Sequence, residues 1–250
     1  MQLQRNSRRH GGRLPAAWDR ADDRWTVALW LLAGAMLIWG VICVIGLVLT
    51  HVIDTTPLHS ADLGVDVWFA GHRTAWWNDA TAVGTGMAQT ATVVAVTAAA
   101  ALALRWRMKR WYESIVLVVA IAGELVIFLA VTAVVPQRGP PVHRLDPAPT
   151  TSSYPSGHTG AAIALYGCLA ILVLWMYAGR PGARIIGAVL FCVPLIVAFS
   201  RVYRGMHYAS DVLAGGLLGA LWLSLVVRTL LPGRRSARNT ARLSGRLART

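Results

Sequence analysis

The chain is 250 residues long, 56% hydrophobic and only 14% charged, with a net charge of +13. Soluble globular domains carry about 25% charged residues, so this composition excludes an ordinary soluble enzyme and describes a membrane protein. The excess positive charge then needs a cause of its own.

Residues 1–26 are polar, basic and without apolar periodicity, which predicts a cytoplasmic tail. Six apolar windows follow, at roughly Val27–Thr50, Gly86–Leu104, Ser114–Val135, Thr159–Ala178, Ala183–Phe199 and Val212–Leu230. Each approaches the length of about 20 residues that a helix needs to cross a bilayer. The first has 26 polar residues before it and exceeds the apolar stretch of about 7–15 residues in a cleaved signal, so it is read as retained. Together the windows predict an all-α bundle of six transmembrane helices over residues 27–230, with a second basic tail at 231–250.

The connections alternate in charge. Nineteen of the 24 Lys and Arg residues fall in residues 1–26, in the 105–111 and 180–184 loops, and from Arg228 onward. The other five, Arg73, Arg138, Arg144, Arg201 and Arg204, fall on the opposite side. This is the positive-inside distribution, and it predicts cytoplasmic termini in a multi-pass protein of the cell membrane. The Arg-rich tail is therefore read as a topology signal and a contact for anionic lipid headgroups; nucleic acid is not an expected partner.

In the first exterior segment, about His51–Gly84, Leu63, Val67, Trp68 and Ala70 can line one side of a short interfacial helix, and the tryptophans suit headgroup depth. Cys43, Cys168 and Cys192 lie inside spans and read as small buried hydrophobes. Glu124 is the one acid well inside a span, where a carboxyl usually faces the bundle interior. The second exterior segment, 136–158, contains six prolines and is expected to be a loop. No internal repeat marks the chain as an inverted-repeat transporter, and no span reads as a dedicated dimer motif.

The chemistry-bearing residues collect on the exterior side. In 200-SRVYRGMHYASD-211, His207 and Asp211 are four apart and share a helical face if the sixth helix begins near His207. A carboxylate there can take the proton of one imidazole nitrogen and leave the other free to attack an electrophile. In 155-PSGH-158, Gly157 lets the backbone approach a ligand closely, and the free N–H groups opening the fourth helix favour an anion. Ser156 can add its hydroxyl, and His158 can protonate a leaving oxygen. Arg201 supplies a planar fork suited to phosphate oxygens. Nucleophile, proton donor and charge clamp together point to phosphoryl transfer.

These two segments, PSGH at Pro155–His158 and S-R-x5-H-x3-D at Ser200–Asp211, resemble the second and third signature motifs of the type 2 phosphatidic acid phosphatase (PAP2) family, which also includes undecaprenyl pyrophosphate phosphatases and soluble vanadium haloperoxidases. The resemblance covers about residues 114–230. It implies a phosphohistidine on His207 oriented by Asp211, with His158 as the acid and with Arg201, Ser156 and Gly157 on phosphate oxygens. It implies neither metal nor cofactor. Its first motif, K-x6-R-P, is broken here: with Pro140 on the final proline, Thr132 stands where the lysine belongs and Gly139 where the arginine belongs. Arg138, one residue early, is the expected substitute, and Arg144 is a second candidate.

The expected activity is hydrolysis of a lipid phosphate or polyprenyl pyrophosphate at the extracytoplasmic face. Two competing readings are a transporter or weakened phospholipid-binding protein, favoured by Glu124 and the broken motif, and a serine hydrolase using Ser156 or Ser200. The second lacks a G-x-S-x-G elbow.

Overall fold

A computed structural model describes residues 21–51, 57–147 and 152–231. The basic tails lie, apart from Ala21–Thr26 and Leu231, outside the described residues. Among the described residues all regular structure is helical: α1 (Ala21–His51), α2 (Pro57–Gly71), α3 (Ala75–Gly86), α4 (Thr90–Met108), α5 (Tyr112–Thr132), α6 (Gly157–Met176), α7 (Pro181–Tyr203) and α8 (Ala209–Leu230).

Six of these, α1 and α4 to α8, are long and apolar enough to cross a bilayer. The protein is a multi-pass membrane protein. The second span begins at Thr90 rather than Gly86, because residues up to Gly86 close α3 and a turn through Met87–Gln89 separates it from α4. The fifth reaches Tyr203 rather than Phe199, which carries Arg201 on the helix and not in a loop. Pro181 opens α7 at a position where its missing N–H costs no hydrogen bond.

α8 packs against α1, α5 and α6, and α7 against α3 and α6. Val116, Leu117, Ala120, Leu165, Leu218 and Val226 form the buried centre of that arrangement. The outward faces of α1, α5 and α7 remain apolar and exposed, as a lipid-facing surface should. Cys43 and Cys168 are buried as expected, whereas Cys192 is exposed, because its position on α7 turns to the outer face.

α2 is the expected short helix in the first exterior segment, but its orientation departs from the simple interfacial pattern. Val67 and Trp68 are exposed while Asp66 is completely buried, so the helix turns an acid toward the bundle. Asp62 also faces inward, accepting hydrogen bonds from the Ser210 hydroxyl and from its N–H at 3.3 Å. α3 is capped by Thr74, whose hydroxyl accepts from the Trp77 N–H. Thus the segment between the first two spans is structural support for the loops beside it, not merely a spacer.

Candidate active site

The connector from α7 to α8 and the 133–156 loop meet at one end of the bundle. Gly205, with φ of +68°, turns the chain out of α7 in a conformation that a side chain would disfavour. The loop is fixed to the helices at several points. Tyr154, fully buried, donates its hydroxyl to the Ile42 carbonyl of α1 at 2.9 Å. The Ser153 N–H donates to the Gln137 carbonyl at 2.9 Å, and the Ser156 N–H to the Asp211 carbonyl at 2.9 Å. These bonds bring PSGH against the first turn of α8.

His207 is buried, and its Nδ1 lies 2.7 Å from the main-chain carbonyl of Ser153. A carbonyl can only accept, so Nδ1 carries the proton and Nε2 presents its lone pair. The Asp211 carboxylate stands 3.8 Å from Nδ1. Its Oδ2 instead accepts from the Ser153 hydroxyl at 2.9 Å and the Tyr208 N–H at 3.2 Å. The geometry therefore differs from the expected direct imidazole–carboxylate bond: Asp211 holds the segment whose carbonyl holds the ring. Burial and then the Arg201 charge push the His207 imidazole down to about 3, against the opposing effect of the Ser153 bond.

Arg201 lies on the Nε2 side, with Nη2 3.5 Å from that nitrogen. Its Nη1 donates to Thr85 Oγ1 at 2.8 Å and to Asp146 Oδ2 at 3.3 Å. Asp146 is also gripped by Arg204, through Nε to Oδ2 at 2.8 Å and Nη2 to Oδ1 at 2.6 Å. Burial pushes the Asp146 carboxyl up, but the Arg204 hydrogen bonds and the charges of Arg204 and Arg201 outweigh it and hold the group below its ordinary value. Arg204 reaches onward to the Asn78 carbonyl and Thr81 Oγ1, tying α3 to α7. Sequence reasoning missed Asp146, Thr85 and Ser153. The cue available was the unusual pair of arginines at 201 and 204, which calls for a buried counter-charge.

His158, Arg201 and His207 line one cavity of about 500 Å³. Gly157 also lines it, at the start of α6, where the first N–H groups lack intrahelical acceptors. Apolar residues from α4 and α5, among them Val93, Val94, Ile121 and Leu125, continue the wall away from the histidines. Glu124 lies on that wall, buried and set against Gly160 of α6.

Three expected site residues stand apart from this cavity's wall. Ser156 is fully buried against α8 and its oxygen accepts from the Thr159 hydroxyl at 3.0 Å. Arg138 and Arg144 line a neighbouring cavity of about 460 Å³ that shares Met206 with the first. Arg138 is exposed there and Arg144 half-buried. Ser200 donates to the Ile196 carbonyl, so neither candidate serine has a histidine partner among the described residues.

Residues 133–234, which hold both histidines, match the PAP2 superfamily model. Among relatives, the undecaprenyl-diphosphatase of Sulfolobus acidocaldarius is 43% identical over 89 residues, 34% of this chain and 37% of that protein. Phosphatidylglycerophosphatase B of Bacillus subtilis is 26% identical over 184 residues, 72% of this chain and 88% of that protein. The chain thus spans little more than a third of the first relative's length and most of the second's. The crystal structure of a transmembrane PAP2-type phosphatidylglycerolphosphate phosphatase from Bacillus subtilis superposes with a TM-score of 0.67 at 19% identity. That likeness covers 78% of this chain and 92% of the other, and it extends the shared fold beyond the PAP2 segment.

Proposed function

We propose that the protein is a membrane phosphatase that hydrolyses a lipid phosphate or polyprenyl diphosphate through a phosphohistidine on His207. The observation that carries this reading is the unprotonated Nε2 of His207, beside Arg201 in a cavity that His158 also lines. Nε2 attacks phosphorus as the bond to the leaving lipid oxygen breaks, and protonated His158 gives its proton to that oxygen. Water then attacks the phosphohistidine, His158 takes the water proton, and the N–P bond breaks to release inorganic phosphate. Arg201 and the opening N–H groups of α6 neutralise charge on the phosphoryl oxygens throughout.

The apolar wall from Val93 to Leu125 suits the tail of a lipid whose headgroup enters the polar end. The 19-to-5 division of basic residues supports cytoplasmic termini and a site facing the extracytoplasmic side of the cell membrane. Both lipid phosphates and polyprenyl diphosphates fit this chemistry, as the names of the two relatives suggest. Phosphate release by the detergent-solubilised chain, without added divalent metal, is measured on a panel of both substrate types. His207→Ala retaining more than a few per cent of turnover rules the scheme out, and labelled protein from a lipid bearing 32P should lose its label in acid but not in alkali.

A further inference from the structure

Five arginines stand at the site end of the bundle, and the scaffold engages two of them fully. Arg73 donates to the Tyr203 and His143 carbonyls, and Arg204 is held by Asp146, Asn78, Thr81 and Leu145. Arg201 is anchored by Thr85 and Asp146 with one edge toward His207. Arg138 is exposed.

Arg144 is different. A Cβ built on Gly139 meets Arg144 Nη2 at 2.7 Å and Cζ at 3.5 Å, with the Met206 carbonyl at 3.3 Å. The guanidinium is thus laid across the bare backbone of Gly139, in the volume that any side chain at 139 would occupy. Among the described residues no acceptor pairs with it. It opens into the cavity that adjoins the catalytic one at Met206, and it is close enough to His207 for its charge to lower the imidazole's proton affinity. A half-buried, unpaired guanidinium carries a desolvation cost that an anion would relieve.

We propose that Arg144 holds a phosphate oxygen on the His207 side of the catalytic cavity, and that Gly139, by lacking a side chain, makes the room for it. The cation absent at 139 is therefore supplied from five residues later, folded back onto the same spot. The proposal rests on the phosphatase reading, but its test includes binding as well as turnover.

The probe is orthovanadate, a tetrahedral phosphate analogue that becomes five-coordinate when a nucleophile adds to vanadium, bound to the full detergent-solubilised chain and followed beside lipid phosphate hydrolysis. Arg144→Gln should weaken vanadate binding and lower kcat/KM by about 10²-fold, the usual effect of deleting one oxyanion donor, while thermal stability changes little. Gly139→Arg in the Arg144→Gln background should recover most of that loss, because the new guanidinium projects into the vacated volume. Unchanged vanadate affinity in Arg144→Gln overturns the proposal. So does a loss that the stable double variant fails to recover, or a larger loss in Arg138→Gln than in Arg144→Gln. Should the double variant not fold, Arg144→Lys and Arg144→Gln are compared by vanadate affinity alone, and equal values overturn it. A wild-type protein that binds vanadate through Arg144 but hydrolyses no lipid phosphate leaves the proposal standing and removes the phosphatase reading.

Discussion

The main-chain carbonyl of Ser153, not the carboxylate of Asp211, is the group in hydrogen-bonding contact with His207 Nδ1, at 2.7 Å against 3.8 Å. An Asp→Asn change beside a catalytic histidine is severe where the new amide can invert the tautomer. Here a carbonyl fixes the tautomer whatever stands at 211. Asp211→Asn should therefore keep measurable turnover, losing about 10- to 100-fold in kcat, in line with the 1.5–3 kcal/mol of a charge-assisted bond to the supporting segment. His207→Ala should lose more than 10³-fold, the order expected for removal of a nucleophile. Equal losses in the two variants, measured as phosphate release, would show that the carboxylate acts on the ring directly.

Asp146 is the shared counter-charge of Arg201 and Arg204, and both guanidinium groups are buried around it. Asp146→Asn leaves two like charges facing one another with no carboxylate between them. Removing one member of such a buried cluster costs about 3 kcal/mol, which should appear as a clear fall in Tm. Arg201 also loses one of its two anchors, so KM for substrate and the inhibition constant for vanadate should change as well. Loss of stability with both constants unmoved would confine Asp146 to the scaffold.

The His207 imidazole is held down to about 3 in the folded protein, against an ordinary value of 6.5, mainly by burial and by Arg201. The unfolded chain therefore takes up a proton below about pH 6.5 that the folded chain refuses until about pH 3. Folded-state stability should fall as pH drops through that window, and the contribution of this residue should be flat above it. His207→Gln has no such proton to take up. The Tm of the wild type should thus fall more steeply than that of His207→Gln between pH 7 and pH 5, and parallel curves would contradict the placement of His207 in a buried, positively charged setting.

The membrane bundle and the PSGH and Ser200–Asp211 segments were legible in the sequence because both are local signals. A run of 20 apolar residues declares a span by itself, and the two motif segments declare themselves by residue type and spacing, although His207 precedes α8, which begins at Ala209, and so does not share a helical face with Asp211. The supports of the site come from far along the chain and leave no local trace. Thr85 reaches Arg201 across 116 positions and Tyr154 reaches Ile42 across 112. Asp146 sits in a proline-rich loop whose composition speaks only of irregular backbone, so its pairing with two arginines appears only in three dimensions. Pro140 gave the register of the broken motif, but the side-chain path of Arg144 back over Gly139 depends on the loop's fold. Asp66 follows the same rule: a helix rich in exposed valine and tryptophan hides one acid on its inner face, which burial and then the charges of Asp62 and Asp211 push up to about 8.

Gly215 of α8, one turn past Asp211, lies against the backbone of Ser156 in the PSGH segment. A Cβ there would collide with the Ser156 carbonyl oxygen and lie 3.0 Å from the Ser156 carbonyl carbon. These are backbone atoms, and Ser156 is further tied to α8 through its N–H bond to the Asp211 carbonyl. Neither partner can rotate away as a side chain does, so α6 and α8 must separate and carry His158 away from His207. Gly215→Ala should cost about 1–3 kcal/mol of stability, as overpacking does, and about 10²-fold in kcat, because displacement of a catalytic group by 1 Å can have that effect. Gly40→Ala in α1 is the matched control: beyond its own helix backbone, no atom of the described residues lies within 4 Å of its added methyl, and alanine is the better helix former. Its turnover should equal the wild type and its Tm should not fall. Full activity in Gly215→Ala would mean that the α6–α8 contact is looser than the packing around Ser156 requires.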